Sequence, residues 1–525
     1  DLKKRRGMHV ALEMKKTLEG YQDRIGKEKF DIGRIEGIQY KIRMKHGVKP
    51  YHQQPHNLPP EHEEQIFKTV NSLLKAEMIE PYEGEWGSNV FVVKNGDGST
   101  RMVTNYKWIN QHSESDSYPV PSVPDMINRF HGKTVYSTFD IIKAFHNIEV
   151  EPESRKYTAF TTKYGTFVWK VMPFGGKNCP SVWARASDIA FQSCLDMIKY
   201  VDDIVLASSA ATGKSEDDNH LRAIASFFEC LKKYNLKIKL SKCQFFVTKV
   251  KFLGHYITPE GRTTNEKYIK RLLTFRHPKD RTELKAYLGA IEWISNHVYG
   301  MKKLMLPIKQ LLRKNVKYEW LEKHQKAFNS IQNCIQKTEI LHHPDFNEPF
   351  YLFTDASDKL YSGVLLQKRN DKYVTVDMFS RMFNDNQSKW HITTKELHAL
   401  VQSIEKWRNY LWTNKFVIHT DARNLSHLFR RTNAKKSNNT MHYQWVVLLN
   451  EFDFDVMHIR GIDNKIADYL SRYVNPEQLE NFQEGDKSLS EYKANKKFKF
   501  KNKKQQHEFK ENQKIFYANI PKYLM

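Results

Sequence analysis

The stretch YVDDIVLAS, residues 200–208, decides the fold. Two carboxylates, Asp202 and Asp203, stand between apolar runs: Met197, Ile198, Tyr200 and Val201 before them, Ile204, Val205 and Leu206 after. β-branched and aromatic residues around a short polar pair spell strand, tight turn, strand. Asp suits a two-residue hairpin loop, so a turn alone accounts for one of the two. The second Asp stands where Gly is favoured, and like charges held side by side disturb each other's pKa. A cation removes the conflict. Magnesium takes one or two carboxylates plus substrate phosphates. The pattern points to a metal site facing a phosphate, and it needs a further carboxylate. TVYSTFDI, 134–141, reads as a buried strand ending in Asp140, the partner expected at a sheet rim. A strand-terminating Asp with no further role is the plainer reading of that residue.

The 525 residues exceed what one core serves, so three or more domains are expected. Hydrophobic residues make up 40%, a globular composition. The net charge of +24 asks for a polyanionic partner, nucleic acid before a membrane surface. No apolar run of about 18 residues and no signal-peptide pattern supports the membrane. Five scattered cysteines without a C-x-x-C pair exclude a zinc ribbon and give no disulfide framework, so a reducing compartment is expected. A chain beginning at Asp1 rather than Met reads as a processed product or an excised fragment.

Residues 1–35, with Lys3, Lys4, Arg5 and Arg6, read as a mobile basic arm. After Pro59-Pro60, residues 61–78 place Ile66, Val70, Leu73 and Leu74 at helical spacing. Residues 89–106 read as a hairpin around Gly96-Asp97-Gly98. Residues 219–234 form an amphipathic helix with Leu221, Ile224, Phe228 and Leu231, and 236–258 return to strands. The segment 265–340 is mostly helical and basic. A strand begins at FYLFTDAS, 350–357. A helix over 394–411 carries Leu397, Leu400, Val401, Ile404 and Trp407, and strands follow at 415–421 and 452–459. Beyond about 475 the chain is rich in Lys and poor in large aliphatics, and reads as a disordered tail.

Five segments in order resemble a known family. STFDIIKAFHNI (137–148), VMPFGGKNCPSVWAR (171–185), YVDD, FLG (252–254) and STRMVTNYKWIN (99–110) are similar to reverse-transcriptase motifs. The likeness is to long-terminal-repeat retrotransposons of the gypsy class, and more distantly to retroviral and pararetroviral enzymes. It covers roughly residues 40–475. It implies that Asp140, Asp202 and Asp203 hold two magnesium ions, with manganese as an alternative. It implies that Arg101, and less firmly Lys94, contacts the triphosphate. Phe174 and Asn178 belong to the segment that grips template and nucleotide, and Phe252, Leu253 and Gly254 to the primer grip. Phe145 lies five residues after Asp140, where the family places an aromatic under the sugar. A ring there clashes with a 2′-hydroxyl, while an ordinary core aromatic is the plainer alternative. Tyr200 would pack beside the metal hairpin. The chain departs from the family at Asn105 (usually Asp), Gly176 (usually Leu) and Cys179 (usually Ala).

A second set of acids is Asp355 in TDAS, Glu396 in TTKELHAL, Asp421 in HTDARNL and Asp468 in NKIADYLSR. Each has a dull explanation; Thr393 and Glu396, for example, fit a helix capping box. Together they resemble the four-acid ribonuclease H site in the family's order, which implies two-metal hydrolysis of RNA in an RNA–DNA hybrid. His458 looks like a strand residue and takes no role.

The reading is an α+β multidomain chain: a right-hand polymerase of fingers, palm and thumb, then an α/β ribonuclease H domain with a mixed sheet. The expected boundaries are arm 1–35, fingers and palm 36–260, thumb and connection 261–345, ribonuclease H 346–475 and basic tail 476–525. Expected partners are RNA template, DNA primer, RNA–DNA hybrid and deoxynucleoside triphosphates, with no membrane; homodimers occur in the family. The expected location is cytoplasmic, within retroelement particles, with the nucleus as an alternative. The competing function is a domesticated nucleic-acid-binding subunit that has lost one or both activities.

Overall fold

The computed structural model describes residues 2–28, 30–94, 100–119, 121–210, 215–298, 300–336, 338, 340–370, 372–420 and 440–458. The N-terminal segment is not a free arm. After a turn of helix at Leu2–Arg6, helix α1 (Met8–Gly20) buries Val10 and Met14 in the largest core. Arg6 is committed to Glu216, at 2.7 Å, and to Asp217. The basic run hid an i, i+4 apolar pair long enough to seat a helix.

Helix α2 (Pro60–Lys75) begins with Pro at its first position and Glu61 and Glu63 in its first turn, both suited to a helix N-terminus. Its Ile66, Val70 and Leu73 pack on Val90 of strand β1 (Ser88–Lys94), which pairs antiparallel with β2 (Thr100–Thr104). This ribbon extends a five-stranded sheet that includes Ile79–Pro81, Phe160–Thr162 and Gly165–Trp169.

The palm sheet is built from β3 (Val135–Phe139), β4 (Met197–Tyr200), β5 (Asp203–Ser208) and β6 (Gln244–Val247), in the order β6-β3-β5-β4. Helix α3 (Cys179–Ala190) precedes β4. Helix α4 (Glu216–Lys233) follows β5 and covers the sheet with Ala223, Ile224, Phe227, Phe228 and Leu231. Ser215 caps α4 by accepting the Asp218 N–H; three acids open the helix and Lys232 and Lys233 close it, matching its dipole. A small sheet follows: β7 (Val250–Phe252), β8 (His255–Ile257), β9 (Gly261–Thr263) and β10 (Leu341–His342). Between its last two strands the chain makes a helical unit cored by Leu284, Tyr287, Ile291, Met305 and Ile331, and α5 (Arg281–Ile294) belongs to it.

The last sheet contains β11 (Phe350–Ala356), β12 (Leu360–Arg369), β13 (Lys372–Met382), β14 (Phe416–Thr420) and β15 (Phe454–His458). Its order is β13-β12-β11-β14-β15, antiparallel through β11 and parallel beyond it. That is the expected mixed sheet. Helix α6 (Ile392–Lys406) lays Leu397, Leu400, Val401 and Ile404 on it, and a separate turn, Arg408–Leu411, ends the segment. The unit is tied to its neighbours by polar contacts. Asn409 donates to Asp125 (3.1 Å), Tyr410 to Asn128 (2.8 Å), and Arg262 of β9 to Asp377 of β13 (3.3 Å). The basic tail lies outside the described residues, and among these no helix is long and apolar enough to cross a membrane.

Candidate active sites

Strand pairing builds the first site. Ile204 of β5 faces Phe139 of β3, so the adjoining residues, Asp203 and Asp140, leave the sheet rim side by side. Asp203 also pairs with Tyr200, which makes Val201 and Asp202 the two turn residues. The sequence had put both acids at the tip; Asp203 is instead the first residue of a strand. The first turn position, usually given to Gly in such hairpins, holds Val201 at φ 52°. A β-branched side chain is strained there. Its carbonyl accepts the Trp183 indole N–H at 2.9 Å, which fixes the turn against α3.

The acids feel each other. Burial, then Asp203 and Asp140, pushes the Asp202 carboxyl up to about 6. Burial also raises Asp203, offset by a hydrogen bond from the Leu253 N–H and by the charge of Lys251. Lys242 Nζ sits 2.9 Å from Asp140 Oδ2. Among the described residues no three His, Cys, Asp or Glu side chains converge tightly enough to hold an ion by themselves. The donor set still suits magnesium, which completes its shell with water and substrate phosphate rather than an all-protein cage. The Lys242 ammonium shows that a positive charge is accepted at this position.

Residues 252–254 form a hairpin turn. Phe252 is buried and pairs with His255, while Leu253 (φ 47°) and Gly254 (φ 84°) make the turn itself. Only the Leu253 backbone touches an acid. Trp293 of α5 lies over the turn: a Cβ on Gly254 would come within 2.8 Å of its ring, which also stacks on His255.

Phe145 lies in a short 3-10 turn, Ala144–Asn147, buried, with its ring 5.1 Å from that of the exposed Phe174. The Asn178 side chain is used internally. Its Oδ1 accepts the Asp116 N–H (3.1 Å) and its Nδ2 donates to the Glu114 carbonyl (2.8 Å). Lys94 pairs with Thr100, and Arg101 with Val93. Cross-strand partners share a face and neighbours alternate, so Lys94 and Arg101 leave opposite faces. Lys94 shares the face of Val90 and Met102, which packs on α2; Arg101 shares the open face of Phe91 and Val93.

In the second set, Asp355 of β11 and Glu396 of α6 are both buried and adjacent: Glu396 Oε1 accepts the Ala356 N–H at 3.2 Å. Glu396 is not a capping-box residue. The helix starts at Ile392, and the His391 side chain caps it by accepting the Thr393 N–H. Asp421 and Asp468 lie outside the described residues. His458 is exposed at the end of β15.

A family model described as reverse transcriptase (RNA-dependent DNA polymerase) matches residues 92–257. A second, the RNase H-like domain found in reverse transcriptase, matches residues 320–418. The chain carries a segment that matches the reverse-transcriptase model and, after it, one that matches the RNase H-like model. The Transposon Tf2-3 and Tf2-7 polyproteins of Schizosaccharomyces pombe (strain 972 / ATCC 24843) are 30% and 29% identical to it over 445 residues, 84% of this chain. The chain spans 33% of the length of each polyprotein. A foamy viral protease-reverse transcriptase in complex with an RNA/DNA hybrid is similar in fold, with TM-score 0.73 at 18% identity, covering 86% of this chain and 61% of that one. Another, in complex with dsDNA, gives 0.76 at 18% identity over 86% and 94%.

Two departures from the reverse-transcriptase pattern explain each other. A Cβ at Gly176 would lie 2.6 Å from the Tyr40 hydroxyl and 2.7 Å from Cys179 Sγ. The thiol, whose pKa burial pushes up to about 11, and the tyrosine therefore occupy the place of the usual Leu. Asn105 accepts the Lys107 N–H at 3.2 Å, a bond that an Asp would make equally. Sequence reasoning missed Lys242, Lys251 and Tyr40. Each was one more basic or aromatic residue, and only the fold shows what it faces.

Proposed function

We propose that this chain copies RNA and DNA templates into DNA at Asp140, Asp202 and Asp203, and cleaves the RNA of RNA–DNA hybrids at a site containing Asp355, Glu396, Asp421 and Asp468. The observation that carries the reading is the register of β3 against β5, which brings Asp140 and Asp203 together at the sheet rim beside Asp202. Magnesium, two ions per site, would supply Lewis-acid activation of the attacking oxygen and neutralise the leaving group. Asp140, now paired with Lys242, would help to hold such an ion, and the Leu253 N–H holds Asp203 in place. Arg101, on the open face of the fingers ribbon, binds the triphosphate. Phe145 closes the pocket under the sugar, supported by Phe174. Asn178 acts by holding residues 114–116 against the pocket wall. The complexes of the foamy viral proteins with an RNA/DNA hybrid and dsDNA support these substrates. The limits given above for fingers and palm, for thumb and connection and for ribonuclease H, and magnesium in preference to manganese, belong to the same proposal.

The test is extension of a labelled DNA primer on an RNA template by the full chain, with deoxynucleoside triphosphates and magnesium. Full-length product, lost on chelation and restored by the metal, is expected. A chain that binds the hybrid but extends nothing under these conditions is the domesticated subunit instead.

A further inference from the structure

Two of the five cysteines, 36 positions apart in sequence, meet in the palm away from both acid clusters. Cys194 lies in the loop between α3 and β4, half-buried; Cys230 lies on α4 and is only 3% exposed. Cys194 Sγ donates to the Leu195 carbonyl at 3.8 Å, and the two thiols lie within electrostatic reach of each other. The loop is latched to the same face of α4. Ser193 Oγ is 3.5 Å from Cys230 Sγ, the Leu195 N–H donates to Ser226 Oγ at 3.3 Å, and Ser226 Oγ donates to the Ser193 carbonyl at 3.2 Å. Ser226 and Cys230 are one helical turn apart, so they face the loop together. Cys179 and Cys243 are engaged elsewhere, with the Pro173 and Lys239 carbonyls.

We propose that Cys194 and Cys230 form a reversible redox site, oxidised to an intramolecular disulfide by hydrogen peroxide. The Cys230 thiolate attacks a peroxide oxygen. The S–O bond forms, the O–O bond breaks, and the departing hydroxide takes a proton to become water, leaving Cys230 as the sulfenic acid. The Cys194 sulfur then attacks Cys230. The S–S bond forms, the S–O bond breaks, and hydroxide leaves with the Cys194 proton as a second water. The two thiols lose two electrons and one peroxide is reduced to two waters. The neighbouring Cys194 thiol and the Ser193 hydroxyl hold the Cys230 pKa below the usual thiol value, against its burial. That favours Cys230 as the attacking sulfur. A small oxidant is required because Cys230 is enclosed. Thiol reductants reverse the step by exchange.

The test uses the full chain freed of reductant, treated with hydrogen peroxide, blocked with N-ethylmaleimide and digested with trypsin without reduction. A linked peptide pair, 186–199 with 223–232, is expected to appear in mass spectra and to vanish after dithiothreitol, with free thiols falling from five to three. Cys194→Ala should abolish the pair and leave Cys230 as a sulfenic acid trapped by dimedone, while Cys243→Ala should leave the pair unchanged. Recovery of both peptides alkylated after oxidation, or loss of the pair in Cys243→Ala, would overturn the proposal.

Discussion

Gly176 and Phe145 show how single positions shape the nucleotide pocket. The place of a side chain at 176 is filled by Tyr40 and Cys179, so Gly176→Leu forces one of them aside. Overpacking of this kind costs about 1–3 kcal/mol. The urea midpoint of Gly176→Leu should fall accordingly and recover in part in the double variant with Cys179→Ala. A neutral Gly176→Leu would mean that Tyr40 is free to move. Phe145 packs its buried ring against that of Phe174. Phe145→Val should raise kcat/KM for a ribonucleotide relative to the matching deoxynucleotide on one template. An unchanged ratio assigns the ring to packing alone. The identity of these residues was legible in the sequence. Their neighbours were not, because Tyr40 is far from 176 along the chain and only tertiary packing brings it there.

At the scale of elements, the fingers ribbon and the acid hairpin divide what sequence can and cannot tell. Alternating apolar residues announced both hairpins, and the strands form where the pattern put them. The turn of the acid hairpin slipped by one residue, because Trp183 holds the Val201 carbonyl and sustains a conformation that local preference disfavours. Loop length left Lys94 the weaker candidate beside Arg101 in the sequence, and strand register now puts the two on opposite faces. Arg101→Ala should lower kcat/KM for deoxynucleotides by at least about tenfold, the scale of one lost charge-assisted bond. Lys94→Ala should leave it nearly unchanged. Equal losses would contradict the assignment of faces. Residues 2–20 went the other way: their charge suggested a free arm, but the Val10 and Met14 side of α1 packs into the palm core.

Across the whole molecule, buried ionisable groups tie distant parts together. Burial alone would raise Asp377, but Lys406 and Arg262, with the Trp407 indole N–H at 2.9 Å, hold it at about 2. Asp377→Ala leaves Arg262 and Lys406 without their buried counter-charge, and loss of one partner of such a group costs about 3–5 kcal/mol. A denaturation midpoint equal to that of the parent chain would show that the link is dispensable. His146, His220 and His343 are buried, and burial holds each at about 4, below the unfolded value near 6.5. The unfolded chain therefore binds more protons between those values. The stability from keeping these rings neutral is complete above about pH 6.5 and drains away as pH falls toward 4, at roughly 2 kcal/mol per group by pH 5. Urea midpoints at pH 7.5 and 5.0 should differ in that direction, and a higher midpoint at pH 5.0 would contradict the sign. The central claim is that one chain holds two independent catalytic sites, and a doubly labelled RNA–DNA hybrid reads both at once: primer extension on one label, RNA cleavage on the other. Asp203→Asn should abolish extension and leave cleavage near the parent rate, and Glu396→Gln should do the reverse. Normal extension by Asp203→Asn, or normal cleavage by Glu396→Gln, would contradict the account.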